Sequence, residues 1–240
     1  MTTAHRQKRP SLRGAPWRPV ALASGAVLGV TLLVAAGLVA ALVFAPDPRA
    51  VLPEVIAASL LAHSLGSLGV ICVVFRTTGV RVHSLGVTRP SWRLLHLLWQ
   101  IPATLIAAVA VQALVAAFIP GGQEQAGASR LDTALGGAHP GMLIAAALAI
   151  TVVTPVWEEL YFRGLLQGRI TARWGTVVAI IATAVLFAAV HGFLILLPYY
   201  LVLGVALSAL RVFHRSLWGP LLLHVTVNSI ATLVLVASLG

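Results

Sequence analysis

The chain has 240 residues, of which 59% are hydrophobic and only 9% are charged, whereas soluble domains carry about 25% charged residues. The formal net charge of +10 is divided into small clusters between apolar runs, which is typical of orientation signals in membrane loops. This composition excludes an ordinary soluble domain and argues against a nucleic acid partner, so we expect a membrane protein in contact with lipid.

Seven apolar segments follow one another along the chain. They comprise residues 20–45, 51–75, 94–118, 142–168, 175–192, 194–212 and 219–239. Their length suits a hydrocarbon core about 30 Å thick, and their Ala, Leu and Val content favours helices, which satisfy their own backbone groups in lipid. The predicted fold is therefore an all-α, polytopic transmembrane helix bundle of about seven helices.

Composition divides the chain into four regions. Residues 1–19 form a basic tail, and residues 20–118 hold the first three predicted helices. Residues 119–141, rich in Gly, Gln, Ser and Ala, form either a lid or a linker outside the cytoplasm, of which we favour the linker. Residues 142–240 hold the last four helices. The segment 20–45 is too long for the apolar region of a cleaved signal peptide and is interpreted as a retained helix.

Basic residues alternate between the predicted loops. With the N-terminus in the cytoplasm, every Lys and Arg except Arg49 and Arg130 falls on the cytoplasmic side, in agreement with the positive-inside rule. Four acidic residues fall in or beside the outer loops: Asp47, Glu54, Glu124 and Asp132. We therefore expect a cytoplasmic N-terminus, and the Ala-, Val- and Arg-rich composition suggests a bacterial cytoplasmic membrane.

The two remaining acidic residues, Glu158 and Glu159, lie inside the fourth apolar segment, in TPVWEELYFRGLLQ. Carboxylates at membrane depth are costly unless they face water or a partner, so a functional role is expected. Successive helical residues turn by about 100°, which places Glu159 and Arg163 on one face and predicts an ion pair. Glu158 points elsewhere and is left for chemistry. The alternative is a purely structural salt-bridge cluster of all three.

Two later helices carry polar pairs at the same spacing. In VLFAAVHGF the ring of Phe187 precedes His191 by one turn, and in LLLHVTVNSI the side chains of His224 and Asn228 share one face. An isolated intramembrane histidine usually bonds another helix, but three helices with polar groups beside a buried carboxylate favour an active site. Polar residues of the first three helices are interpreted as packing or hydrogen-bonding groups: His63, His96, Gln100 and Gln112.

The order EExxxR, FxxxH, HxxxN resembles the CAAX-protease and bacteriocin-processing family of intramembrane endopeptidases, over about residues 140–232. The resemblance implies that Glu158 and His191 activate a water molecule for attack on a peptide carbonyl. It implies that His224 and Asn228 stabilise the resulting oxyanion. The expected substrate is a membrane-associated protein or peptide, and members of this family often have eight helices rather than seven.

The same resemblance gives an orienting role to Glu159, Arg163 and Phe187. It leaves open whether a metal takes part, because a zinc ion would use a set that also serves a metal-free mechanism: Glu158, His191 and His224. Two other functions stay open. One is a catalytically silent scaffold or immunity protein, and the other is a proton-coupled transporter.

Helical rise predicts the depth of each site residue. Counted from the nearest predicted cytoplasmic turn, Glu158 lies about 16 Å deep, His224 about 12 Å and His191 about 25 Å. The site is therefore expected in the cytoplasmic half of the membrane, and His191 is the member whose depth disagrees with the others.

Overall fold

The structure is a computed structural model that describes residues 17–118, 135–192 and 194–237. Within these ranges it contains helices and no strand, which confirms the predicted all-α bundle. Most of the predicted basic tail (residues 1–16) and of the predicted linker (119–134) lies outside the described residues.

Seven helices make up the described part of the bundle. They are α1 (Arg18–Phe44), α2 (Pro48–Thr78), α3 (Leu97–Ala117), α4 (Pro140–Trp174), α5 (Thr176–Val190), α6 (Leu197–His214) and α7 (Trp218–Ala237). All except α5, which has 15 residues, belong to apolar helical stretches long enough to cross a membrane. The chain is therefore an integral membrane protein.

Helix α4 is longer than its apolar segment predicts. The turn expected near residue 169 is wrong, because Arg169 lies inside a helical stretch that continues to Trp174. Two π-helical segments, Ala149–Val153 and Glu159–Leu166, interrupt the α-helical geometry. Such segments are rare and frequently occur at functional sites. Glu158 immediately precedes the second of them.

The true end of α4 brings the expected depths of Glu158 and His191 into agreement. Counted from Trp174, Glu158 lies about 24 Å along α4, and counted from Thr176, His191 lies about 22 Å along α5. Only Gly175, with a φ of 89°, separates the two helices. The carboxylate and the imidazole therefore reach similar depths.

Helix α5 is too short to cross the bilayer, so its C-terminal turn lies at membrane depth. Gly192 reverses the chain there with a φ of 69°. Irregular backbone in a membrane needs polar partners from the protein. One is supplied by α3, where the Gln112 amide donates a hydrogen bond to the Ile195 carbonyl oxygen at 2.9 Å. The predicted hydrogen-bonding role of Gln112 is thus present.

The segment between α2 and α3 folds back against the start of α7. The Leu217 amide donates to the Gly86 carbonyl at 2.9 Å, and the Trp218 indole donates to the Thr88 carbonyl at 2.7 Å. Leu217 also packs against Gly164 of α4. This contact fixes the position of α7 along the length of α4.

Charge is separated between the two ends of the bundle. The rings of Trp17 and Trp174 meet at 5.6 Å at the end that we call the arginine-rich end, which carries Arg76, Arg81, Arg89, Arg93, Arg169, Arg173, Arg211 and Arg215. At the opposite end, Glu54 accepts a hydrogen bond from the His139 amide at 2.7 Å. The separation agrees with the charge alternation from which the orientation is predicted.

A close contact between α5 and α6 gives a stability prediction. A Cβ atom on Gly204 would lie 3.0 Å from the Ala184 Cα atom and 3.1 Å from its carbonyl oxygen. Gly204→Leu should therefore force the helices apart and reduce the free energy of unfolding in detergent by about 1–3 kcal/mol. Gly37→Leu is the control, because Gly37 faces open space. Equal losses in the two variants would contradict this packing.

Candidate active site

The centre of the site is a buried ion pair on α4. Glu159 Oε1 accepts a hydrogen bond from Arg163 Nη1 at 2.9 Å, and the two side chains are 1% and 0% exposed. The pair expected from the i, i+4 spacing is therefore present. Two opposite charges in a low-dielectric interior stabilise each other, and each would be costly without its partner.

An aromatic ring covers this ion pair. The Arg163 guanidinium lies 4.2 Å from the centroid of the fully buried Phe187 ring, a cation–π geometry. The centroid of the same ring lies 4.6 Å from that of His191 and 5.7 Å from that of His224. Phe187 thus packs on His191 as predicted, and it also separates that imidazole from the charges on α4.

His224 connects the two carboxylates. Its Nδ1 lies 2.9 Å from Glu159 Oε1, and its Nε2 lies 3.7 Å from Glu158 Oε2. Because an ionised carboxylate only accepts hydrogen bonds, Nδ1 carries the proton of a neutral ring and Nε2 has the lone pair. The distance to Glu158 is too long for a direct hydrogen bond but leaves the two atoms able to share a water molecule.

Glu158 itself is 7% exposed. Among the residues that the structure describes, none donates a hydrogen bond to its Oε2 atom. Besides His224, two groups from other helices lie within electrostatic range of this carboxylate, His63 of α2 and Tyr200 of α6. Glu158 therefore lies among polar groups, and its buried Oε2 atom has no hydrogen-bond donor from the described residues.

His191, which the family resemblance pairs with Glu158, contacts residues of α5 and α6. Its Nδ1 donates to the Phe187 carbonyl at 2.7 Å, and its ring stacks on Tyr200 with centroids 4.0 Å apart. His224 lies within ion-pair distance of the carboxylates, whereas His191 does not. The structure therefore brings Glu158, Glu159, Arg163 and His224 into one polar chain and places His191 beside it.

Asn228 bonds the backbone of α4. Its Nδ2 donates to the Ile150 carbonyl oxygen at 2.9 Å, inside the first π-helical segment. An asparagine amide has two N–H groups, so one donor remains in addition to this bond. Asn228 therefore fastens α7 to the irregular part of α4.

A zinc ion would require the ligands to converge. Zinc sites in proteins use at least three side chains at about 2.0–2.3 Å. Within the described ranges, no three His, Cys, Asp or Glu side chains are grouped closely enough to hold an ion, and His224 Nδ1 already bonds Glu159. The observed arrangement does not fit a zinc centre.

The polar residues of the first three predicted helices have the packing or hydrogen-bonding partners that were expected. Gln100 bonds His214 at 2.9 Å, Gln112 bonds the Ile195 carbonyl, and His96 packs on the Phe213 ring. His63 Nε2 lies 3.0 Å from Thr31 Oγ1. The His63 ring also lies 5.9 Å from that of Trp157, the residue before Glu158, and this contact between helices could not be predicted from spacing within one helix.

The buried ion pair gives a prediction for a double-mutant cycle. Arg163→Met or Glu159→Gln leaves one buried charge without its partner and should reduce the free energy of unfolding by about 3–5 kcal/mol. The double variant should lose clearly less than the sum of the two. Denaturant unfolding in detergent measures the free energy of unfolding of the wild type, the two single variants and the double variant. Arg173→Met, at an exposed arginine, is the control, and additive losses would contradict the coupling.

One comparison with known proteins covers the region of the chain that holds this site. The family model described as type II CAAX prenyl endopeptidase Rce1-like matches residues 140–230. No curated protein and no solved structure matches the chain. The matched region begins at the first residue of α4 and includes every site residue on α4, α5, α6 and α7. Residues 140–230 are therefore similar to the type II CAAX prenyl endopeptidases of the Rce1-like family.

Proposed function

We propose that this protein is an intramembrane endopeptidase that hydrolyses peptide bonds in membrane-associated proteins or peptides. The observation that carries the proposal is the polar chain from Arg163 through Glu159 and His224 to Glu158. Such a chain fixes one carboxylate as a structural anchor and directs a histidine nitrogen at the other. Peptide hydrolysis needs a base held in this way beside a bound water molecule.

In the proposed reaction, Glu158 Oε2 takes a proton from a water molecule that lies between it and His224 Nε2. The resulting hydroxide adds to the peptide carbonyl carbon, whose oxygen becomes an oxyanion. The C–N bond then breaks, and the proton held by Glu158 passes to the leaving nitrogen. The geometry favours His224 as the histidine that shares this water, because its Nε2 lies 3.7 Å from Glu158 Oε2.

The other predicted residues receive roles that suit their contacts. Asn228 keeps one N–H group for the oxyanion, as the family resemblance implies. His191 donates through Nδ1 to its own helix, which leaves Nε2 to accept a hydrogen bond from water or substrate. Arg163 and Phe187 keep Glu159 and His224 in place and do not touch the substrate.

The depth of Glu158 restricts the substrate class. The Glu158 side chain is 7% exposed and lies between α4 and α7, so a scissile bond must enter the bundle to reach it. Substrates that are anchored in or bound to the membrane satisfy this requirement, whereas a folded soluble protein does not. We place the protein in the bacterial cytoplasmic membrane with the arginine-rich end in the cytoplasm, as the positive-inside rule predicts.

The central test is cleavage by the purified protein in liposomes that contain a panel of membrane-associated peptides. Glu158→Gln and His224→Ala should each lower kcat/KM by about 100-fold or more, because they remove the base or its partner. Matched controls are Glu54→Gln, a carboxylate at the opposite end, and His83→Ala, an exposed histidine. Full cleavage by both site variants would refute the mechanism. Proton flux without cleavage would favour a transporter.

Metal dependence is tested separately. Because the side chains do not form a three-ligand set, the initial rate of the purified enzyme should stay unchanged after dialysis against a chelator. The measurement combines that rate with metal analysis of the same sample. Loss of activity that stoichiometric zinc restores would show that a metal centre assembles in the working enzyme.

A further inference from the structure

One side of the site is formed by a helix that lies outside the region matched by the family model. This helix is α2, where His63 lies with its ring 5.9 Å from the Trp157 ring and within electrostatic range of Glu158. Helix α2 precedes the matched residues 140–230. The residues of the proposed reaction lie on α4, at the end of α5 and on α7.

A pair of hydroxyl groups fixes the position of α2 against α4. Ser64 Oγ lies 2.8 Å from Thr154 Oγ1, and Ser64 donates to the Leu60 carbonyl of its own helix. The single hydroxyl proton of Ser64 is thus in use, so Thr154 donates to Ser64. Thr154 and Glu158 are one helical turn apart. The residue next to Ser64 is therefore held near the carboxylate.

A second hydroxyl determines how the His63 ring is protonated. Thr31 Oγ1 lies 3.0 Å from His63 Nε2 and donates its proton to the Val27 carbonyl, also at 3.0 Å. Thr31 can therefore only accept a hydrogen bond from the histidine, which places a proton on Nε2. A neutral His63 then has its lone pair on Nδ1. Thr31 thus fixes one tautomer of His63.

We propose that His63, held by Thr31, is a positioning residue for Glu158. Acting from α2, it accepts a hydrogen bond through Nδ1 from the water molecule beside Glu158, while His224 acts from α7. The inference rests on the proposed hydrolysis and extends it, because it adds the front half of the chain to the working site. A purely structural link between α1 and α2 is the competing explanation for the same hydrogen bond.

Kinetic constants separate the two explanations. For a peptide that the wild type cleaves, His63→Ala should lower kcat about tenfold or more with little change in KM, because a misoriented base slows the chemical step. Thr31→Val, which removes the hydroxyl, should lower kcat in the same direction, and Thr31→Ser should restore it. His96→Ala is the control, since this exposed histidine packs on Phe213 away from the carboxylates.

Unfolding midpoints are measured on the same variants. A structural link predicts that His63→Ala and Thr31→Val destabilise the protein equally while kcat per folded molecule stays at the wild-type value, and this result would overturn the proposal. If the wild type cleaves and Glu158→Gln does not, but His63→Ala retains full kcat, the proposed function stands and only the role of His63 fails.

A measurement without substrate tests whether the His63 ring responds to Glu158. In protein labelled with ¹⁵N-histidine, the His63 ring signals are identified by their loss in His63→Gln. We expect them to shift in Glu158→Gln and in Thr31→Val, while the His96 signals remain in place. His63 signals that do not respond to Glu158→Gln would overturn the proposal whether or not a cleavable peptide has been found.

Discussion

A buried cation determines the arrangement of the last four helices of this bundle. The Arg163 guanidinium is fully buried, and an unpaired charge in such surroundings would be strongly destabilising. Glu159 neutralises it, Phe187 covers it with a π face, and the same Glu159 oxygen fixes His224. One charge on α4 therefore requires particular side chains from α5 and α7, and the three helices meet where those side chains satisfy it.

The features that could be predicted from the sequence depend on spacing within one helix. Glu159 with Arg163 and Phe187 with His191 are i, i+4 pairs, and both are present because helical geometry alone brings such residues together. Contacts between helices could not be obtained in this way. The bond from Asn228 to the Ile150 carbonyl depends on a π-helical segment, and the approach of His224 to Glu159 depends on where α7 starts relative to Gly164.

The end of α4 shows how one boundary changes a whole site. Residues 167–174 are polar enough to suggest a loop, but they form an amphipathic continuation of the helix, with Ile170 buried and Arg173 exposed. A turn placed at residue 169 makes Glu158 too shallow compared with His191. The helix that ends at Trp174 gives both side chains the same depth. Hydropathy alone does not locate this end, since the last turns lie where polar side chains reach water.

The first three helices and the region that matches the family model place different kinds of side chain around Glu158. Residues 140–230, which match the family model, bring every charged group of the site, and buried charges tolerate little change because each requires its partner. The first three helices bring neutral groups, Thr31 and His63, whose hydrogen bond lies at the α1–α2 contact, where Thr31 itself is exposed. Neutral groups at an exposed contact can be replaced without leaving a buried charge unpaired. On the proposed mechanism, the matched region therefore determines the reaction. Helices α1 and α2 are the part in which related chains can change the neutral groups that surround Glu158.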